Sequence, residues 1–287
     1  MIFHKSLLVV SLISAVTSCT AAFAAGKAPE GCKESDRATN TANYILLMKT
    51  PSLAGNVRSV QIVTTGTDKT STTNTLTFSR CGQLEKRLFV AEIRMSDDRL
   101  AVTTSDLRYQ DKGWVMEMKQ DLREKGQVAG EVSNIRYFYT DKLGRISHSS
   151  ADANEGQNRQ IQTKWSYHYD EQHRLVQEKA ESMLNKGRPQ NFTEEFRYDA
   201  RGRLSQISGS QRNQSFRWDE KGRWVSSEDI NKINGMDRGK NITCFEWDRV
   251  GNCTAATLDV VFRRVDSDEQ IHQSQSSVIS QYQYWDN

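Results

Sequence analysis

The chain has 287 residues, of which 36% are hydrophobic and 26% charged, and its formal net charge is +3 at pH 7. Basic and acidic residues are interspersed, which excludes the clustered basic surface typical of nucleic-acid-binding proteins. Only three prolines occur, and beyond the leader no apolar stripe at helical spacing is convincing, so the composition favours an all-β protein.

The first residues have the pattern of a secretory signal peptide. Lys5 precedes an apolar stretch from Leu7 to Val16, and Ala22-Phe23-Ala24 offers a small-residue cleavage site. We therefore predict a leader over residues 1–24 and a periplasmic or secreted protein. An alternative stays open: residues 16–19 resemble a lipoprotein processing site, in which Cys19 would be acylated and the chain anchored in the outer membrane.

Residues 25–56 form an N-terminal extension before the repeats. A sheet with one apolar face must curl on itself, be covered by the segment from Ala28 to Val57, or dimerise. Cysteines outside the leader suggest disulfides in an oxidising compartment. Sequence proximity favours the pairing of Cys32 with Cys81 and of Cys244 with Cys253. The second pair needs a bulge to bring both side chains to one face.

From residue 57 to residue 287 the chain repeats one frame, whose origin is a turn-forming polar residue. The full origins are Ser79, Gln110, Asp141, Asp170, Asp199, Asp219 and Asp248. Apolar or aromatic residues stand three before most origins and five after them. Three residues after the origins come Gly82, Gly113, Gly144, His173, Gly202, Gly222 and Gly251.

This frame predicts β-hairpins. A side-chain oxygen at the first turn position accepts amide hydrogen bonds from the residues that follow, and glycine at the fourth suits a left-handed backbone. The residue before each origin should then face the residue five after it across the hairpin. The interval from Asp199 to Asp219 is shorter than its neighbours, so its strands should be shorter. Distal loops are expected at Asn154-Glu155-Gly156, Asn185-Lys186-Gly187, Gln211-Arg212-Asn213 and Asn234-Gly235.

The motif resembles the YD repeat of the Rhs family, most fully at residues 198–204, Tyr-Asp-Ala-Arg-Gly-Arg-Leu. The resemblance implies a spiralling β-sheet of the kind that encloses a toxin domain, although about seven units are too few to enclose one. We expect an all-β antiparallel meander of YD-repeat hairpins, with roughly 14 to 16 strands, forming a twisted open sheet, spiral or partial barrel. The edge strands at residues 57–64 and 277–284 need protection from each other or from a partner.

Few residues suggest chemistry. The origin aspartates are explained by their turns, and Arg145, Arg174, Arg203 and Arg223 are expected to pair with them, the alternative being a grip on an anionic partner. We predict no catalytic residues, no metal site and no cofactor. Tryptophans at residues 165, 218, 224, 247 and 285 are expected in the core, with a ligand platform as the alternative.

The first functional hypothesis is a non-enzymatic exported protein that binds another protein in the cell envelope, for example an immunity protein against a secreted antibacterial effector. The alternatives are a carbohydrate or cell-wall binding module and a structural remnant of a toxin shell. An enzymatic reading stays open, because residues distant in sequence can converge in a curled sheet.

Overall fold

A computed structural model describes residues 31–67, 69–155, 160–184, 190–233, 236–265 and 270–286. The leader, Cys19, Gly156 and the loops at residues 185–187 and 234–235 lie outside these ranges. Helix α1 spans Glu34–Met48, and the strands are β1 Val57–Gly66, β2 Thr70–Phe78, β3 Leu84–Ser96, β4 Arg99–Gln110, β5 Gly113–Glu124, β6 Gln127–Thr140, β7 Ile146–Glu155, β8 Gln160–Tyr169, β9 Leu175–Leu184, β10 Gln190–Tyr198, β11 Leu204–Gly209, β12 Arg212–Trp218, β13 Trp224–Ile233, β14 Met236–Trp247, β15 Cys253–Arg264 and β16 Gln270–Tyr284.

The strands form a closed antiparallel barrel in which each strand pairs with its sequence neighbours and β1 pairs with β16. The antiparallel meander is confirmed, whereas the expectation of an open sheet or partial barrel is wrong. The two edge strands protect each other, with Val60 opposite Tyr282 and Ile62 opposite Ser280. Closure leaves the described barrel without an unpaired edge.

The assignment of the chain to the Rhs family is also wrong. A spiralling sheet keeps two free ends, whereas this one joins its first strand to its last. The motif at residues 198–204 specifies how a hairpin turns, and turn chemistry is compatible with more than one sheet topology.

A β-bulge follows almost every repeat turn and supplies the curvature that the open-sheet expectation missed. Tyr169 pairs with Leu175 while His168 pairs with Gln177, so Val176 is the extra residue. The same displacement occurs at Glu85, Ser147, Ser205, Val225 and Thr254. Bulges bend a strand and increase its twist, and a row of them along one rim favours closure.

The repeat turns have the predicted chemistry. At Asp199 one carboxylate oxygen accepts hydrogen bonds from the amides of Arg201 (2.9 Å) and Arg203 (3.0 Å), and Gly202 has φ of 73°. The turns at Asp141, Asp170, Asp219 and Asp248 follow the same plan, with Gly144, His173, Gly222 and Gly251 at positive φ. In the hairpin at Gln110 the frame fails, because Asp111 and Lys112 make a two-residue turn with positive φ at both positions.

Arginines of the repeat link adjacent hairpins along this rim. Arg203 donates from Nε to the second oxygen of Asp199 (2.7 Å), and its guanidinium lies 5.1 Å from the ring centre of Trp218. Trp218 in turn donates from its indole to the carbonyl of Leu204 (3.0 Å). Equivalent contacts join Arg145 to Tyr169, Arg174 to Tyr198 and Arg223 to Trp247. The turn arginines therefore pair with aspartates, as the sequence predicts.

Helix α1 lies inside the barrel, at the end formed by the repeat turns. The expectation that no apolar helix follows the leader is therefore wrong. Tyr44, Ile45, Leu46 and Met48 belong to the same buried cluster as the inward residues of the strands. Asn43, only 2% exposed, accepts a hydrogen bond from the amide of Ile146 (2.9 Å) and donates to the carbonyl of Gly144 (2.9 Å). The N-terminal extension is thus the core of the barrel rather than an outer cover.

Two disulfides hold the ends of this arrangement. Cys32 is bonded to Cys81, which ties the start of α1 to the turn between β2 and β3, and Cys244 is bonded to Cys253 across β14 and β15. The register between these strands shifts near Glu246, so a bulge brings both cysteines to the inward face. The same irregularity turns Phe245 outward, although the frame predicts it to be buried.

Polar side chains occupy much of the outward face of β5 and β9. Along β5 and β9 the exposed positions include Glu117, Lys119, Lys179 and Glu181, which alternate with residues that face inward. Such alternation is that of an antiparallel sheet with one face in water. Within the described ranges, no helix is long and apolar enough to cross a membrane.

We predict that Asn43→Ala lowers the free energy of unfolding by roughly 2–4 kcal/mol, because it leaves a buried amide and a buried carbonyl without partners. Urea denaturation followed by far-UV circular dichroism measures the loss. Asn40→Ala is the matched control, since Asn40 is half-buried and makes one bond, to the carbonyl of Cys81 (2.9 Å). Equal losses in the two variants would contradict the role given to Asn43.

Candidate functional site in the polar half of the barrel lumen

The lumen has an apolar half and a polar half. At the turn end, residues such as Leu84, Ile146, Leu175 and Trp224 pack against α1. Toward the other end the buried positions become polar or charged, and they include Thr64, Thr72, Asn74, Thr103, Gln120, Ser149, Glu178, Gln214, Ser227, Asp229, Arg238, Lys240, Ser274 and Ser276. We call this second half the polar lumen.

Lys49 forms the floor of the polar lumen. It follows the last residue of α1 with φ of 53° and donates its amide to the carbonyl of Ile45 (2.8 Å), at a helix-terminal position where glycine is usual. Its ammonium group binds the carboxylates of Glu178 and, at 2.9 Å, Glu194. A lysine therefore stands where the backbone favours glycine, and its side chain is directed to two carboxylates.

These charges control one another. Burial lowers the pKa of Lys49, but the two carboxylates outweigh burial and raise it above its ordinary value. Burial raises the pKa of Glu194, yet Lys49 and Arg212 bring it below its ordinary value. At neutral pH the floor therefore holds charged side chains.

Arg136 and Trp165 line the wall above this floor. The guanidinium of Arg136 lies 3.6 Å from the ring centre of Trp165 and donates to the hydroxyl of Tyr167 (2.6 Å) and to Ser149 (3.1 Å). One face of the indole is therefore covered by a cation. Trp165 belongs to the lumen, while the tryptophans of the repeat column, Trp218 and Trp247, bond to backbone carbonyls of the rim.

A cavity of about 350 Å³ lies in this part of the lumen, and we call it the lumen pocket. Its lining comprises Lys49, Thr163, Trp165, Glu178, Ala180, Ser182, Phe192, Thr193, Glu194, Gly209, Ser210, Gln211 and Arg212. Aromatic, hydroxyl and charged groups thus face one space, as in sites for small polar ligands.

The short hairpin of β11 and β12 opens the wall beside the lumen pocket. β11 ends at Gly209 opposite Glu194, so Gln190–Thr193 of β10 extend past it, a difference of roughly 13 Å at the rise of a strand. A Cβ at Gly209 would lie 2.7 Å from the carbonyl oxygen of Thr193, so glycine permits this close approach. The short repeat predicted between Asp199 and Asp219 thus forms a notch at the end of the barrel opposite the repeat turns.

On the far side of the notch the wall carries a further group of charges. Arg212 binds Asp229 through two bonds (3.0 and 3.1 Å) and donates to Gln214 (2.7 Å). Arg238 and Lys240 lie on β14, beside the strand that carries Asp229, and both are buried. Among the lumen residues that the structure describes, the cations Lys49, Arg136, Arg212, Arg238 and Lys240 outnumber the carboxylates Glu178, Glu194 and Asp229.

Sequence reasoning did not single out the charged residues of the lumen. On strands that follow a turn, the bulge changes which alternate positions face inward. Arg136 and Glu194 lie on strands that precede a turn, and they keep the alternation of the aromatic columns. Counting by two from Leu175 places Glu178 on the outside, whereas Val176 is the extra residue and Glu178 faces the lumen. The expected distal loop at Gln211-Arg212-Asn213 is only partly a loop, since Arg212 begins β12. The sequence did offer one signal for Glu178, because this charged residue stands three positions after the apolar Leu175, where the bulged strand again faces inward.

The other predicted positions are dispersed along the rim. The turn aspartates stand one per hairpin, and His173 takes the glycine position with φ of 61°. Among the residues that the structure describes, no group of histidine, cysteine and acidic side chains is arranged to hold a metal ion.

An aromatic patch lies on the outward face of β6. Ile135, Tyr137 and Tyr139 project from alternate positions and are 41%, 40% and 44% exposed. Tyr139 stacks on His148 of β7 with ring centres 4.7 Å apart. We call Ile135, Tyr137, Tyr139 and His148 the outer patch.

Comparison with known proteins adds little to this geometry. No family model matches the chain, and no curated protein matches it. Among solved structures, a porin-like protein from Bacteroides uniformis is similar at 10% identity and a TM-score of 0.47, over 79% of this chain and 98% of that one. A likeness of this degree carries no argument about function.

We predict that Lys49→Gly destabilises the protein by about 3 kcal/mol at pH 7, because Glu178 and Glu194 lose their buried partner, even though glycine suits the backbone. Glu194 has a lowered folded pKa, so its contribution is present above its unfolded pKa and is lost as pH falls through the folded value. Lys49 has a raised folded pKa, so its contribution is lost as pH rises through that value. The deficit should therefore be largest between about pH 5 and pH 10.

Urea midpoints across this pH range test the prediction. Lys125→Gly is the matched control, because Lys125 is exposed and has φ of 50°, so glycine there should leave stability unchanged or raise it by up to about 1 kcal/mol. A Lys49→Gly variant as stable as Lys125→Gly would show that the ion pairs at the floor contribute nothing.

Proposed function

We propose that the chain is an exported, non-enzymatic binding protein whose lumen pocket takes a small polar ligand of the carbohydrate class. The observation that carries this proposal is the juxtaposition of Trp165 and Phe192 with hydroxyl and charged side chains in a pocket opened by the rim notch. Aromatic faces bind the apolar faces of sugar rings, while hydroxyl, amide and charged groups bind their hydroxyls.

The cellular location is part of the same proposal. Disulfides such as Cys32–Cys81 and Cys244–Cys253 form in oxidising compartments, which agrees with the leader at residues 1–24. The periplasm is the location that we favour, and acylation at Cys19 with anchoring in the outer membrane is the alternative. A cell-wall glycan fragment would be within reach in either case.

Calorimetric titration of the mature chain with N-acetylglucosamine oligosaccharides tests the proposal. We expect binding, and we expect Phe192→Ala to weaken it about fivefold to tenfold through the loss of an aromatic contact. Tyr137→Ala is the matched control, because this exposed aromatic belongs to the outer patch. The absence of heat at millimolar ligand, or equal weakening by both variants, would contradict a carbohydrate site in the lumen pocket.

A second candidate function is the binding of another protein through the outer patch. Exposed tyrosines are typical anchors of protein interfaces, and Tyr137 and Tyr139 are both exposed on the outward face of β6. An immunity protein that neutralises a secreted antibacterial effector is the concrete form of this candidate.

Bacteria that express the chain and are challenged with the effector encoded beside its gene test this second candidate. We expect survival with the native chain and killing when Tyr137→Asp places a charge in the outer patch. Phe192→Ala, which changes the lumen pocket alone, should still protect. Killing of cells that express the native chain would exclude the immunity role.

A further inference from the structure

The lumen wall formed by β12, β13 and β14 has an excess of positive charge. Its inward residues include Arg212, Asp229, Arg238 and Lys240, and the last three are at most 6% exposed. Asp229 is the carboxylate of this group, and the other three are cations. The group adjoins the lumen pocket, because Arg212 lines that pocket as well.

Asp229 does not neutralise Lys240, although the strand register places them directly opposite each other. Both oxygens of Asp229 are bound to Arg212, at 3.0 and 3.1 Å, and one also accepts a bond from Asn231 (2.9 Å). Its charge is therefore shared with another cation. On the other side of Lys240 the register places Val260, which offers no charge.

The ammonium nitrogen of Lys240 is buried and has no hydrogen-bond partner within the described part of the chain. Burial first, and then the positive charge of Arg238, lower the pKa of Lys240 well below its ordinary value. A buried cation without a partner is strongly unfavourable. Folding alone gives no reason for a lysine here, since an apolar side chain of similar length would fill the same space.

Other polar groups of the lumen share this property. The buried side-chain atoms Thr64 Oγ1, Thr72 Oγ1, Thr103 Oγ1, Gln120 Nε2 and Ser280 Oγ likewise have no hydrogen-bond partner within the described residues. They are neutral and can be satisfied by water. Lys240 differs, because its amine takes up a proton in this position only at a cost, which an adjacent anion would remove.

We propose that the ligand of the polar lumen bears an oxyanion, either a carboxylate or a phosphate, which Lys240 binds with the adjacent Arg238. This inference rests on the proposed binding function and narrows it to an acidic ligand. A guanidinium and an ammonium side by side are donors suited to either oxyanion. The rest of the ligand would extend past Arg212 into the lumen pocket, toward Trp165 and Phe192.

Thermal unfolding at constant ionic strength tests the inference with inorganic phosphate, glucuronate and glucose as probes. We expect the midpoint of the native chain to rise by about 3 °C at ten times the dissociation constant of a bound oxyanion, and to be unchanged with glucose. A response to phosphate alone identifies a phosphate ligand, and a response to glucuronate alone identifies an acidic sugar.

Lys240→Met provides the diagnostic variant. Without oxyanion it should unfold at a higher temperature than the native chain, because a buried amine without a hydrogen-bond partner among the described residues is replaced by an apolar side chain, and it should not respond to either probe. Lys179→Met is the matched control, since Lys179 is exposed on the outward face of β9, and it should respond as the native chain does. A response of Lys240→Met equal to that of the native chain, or a lower midpoint without oxyanion, overturns the inference.

Phosphorus NMR of inorganic phosphate gives a readout that does not depend on any variant. Binding should broaden the phosphate resonance, and glucuronate should sharpen it again by competition if both occupy one site. A resonance unaffected by the protein, together with no response to glucuronate, overturns the inference. If the protein still binds oligosaccharides in that case, the proposed function stands, and only the inference that the ligand is acidic is excluded.

Discussion

The whole structure depends on the width of the barrel. An eight-stranded barrel fills its interior with its own side chains, whereas sixteen strands leave a channel that they cannot fill. Helix α1 fills this space at the turn end. A helix with its side chains is about 10–12 Å wide, and α1 packs against inward aromatic and aliphatic residues of the strands. Without it, the apolar inward face would be exposed to water.

The helix is fixed by polar bonds as well as by packing. Asn43 bonds to the turn after β6, and Asn252 binds both the amide (2.8 Å) and the carbonyl (2.9 Å) of Ala54. Cys32 joins the start of this segment to the turn after β2. Directional bonds to three separate turns determine how deep the helix lies, and therefore how much of the lumen stays polar.

The sequence predicted what local chemistry determines. Asp199, Gly202 and Leu204 gave a hairpin with the correct register, because a turn is decided by residues within a few positions. Closure could not be predicted in this way, since the pairing of Val60 with Tyr282 joins strands at opposite ends of the repeat region. The assignment to the Rhs family was wrong for the same reason, because the motif describes the turn of one hairpin and does not determine how the whole sheet closes.

Helix α1 and the lumen residues were missed because their burial is set by the barrel and not by their own pattern. Asn43 and Thr39 are buried although they are polar, since strand turns satisfy or cover them. Glu178 and Lys240 lie on strands that also present polar residues to water. For Glu178 the bulge after the turn, which is seen only in the strand register, decides which face the residue takes.

The charges of the polar lumen are the part of this structure that folding explains least. Replacing a buried ion pair by apolar residues of similar volume is often neutral or stabilising, so Lys49 with Glu178 and Glu194 is not needed to hold the barrel closed. Lys240 is explained even less by folding, because among the described residues its ammonium group has no hydrogen-bond partner and Asp229 is bound to Arg212. The turn end stabilises the barrel through its turns, its bulges and the packing of helix α1. The opposite half of the lumen is thereby free to keep an arrangement that lowers stability, and such arrangements are found where a protein binds a ligand.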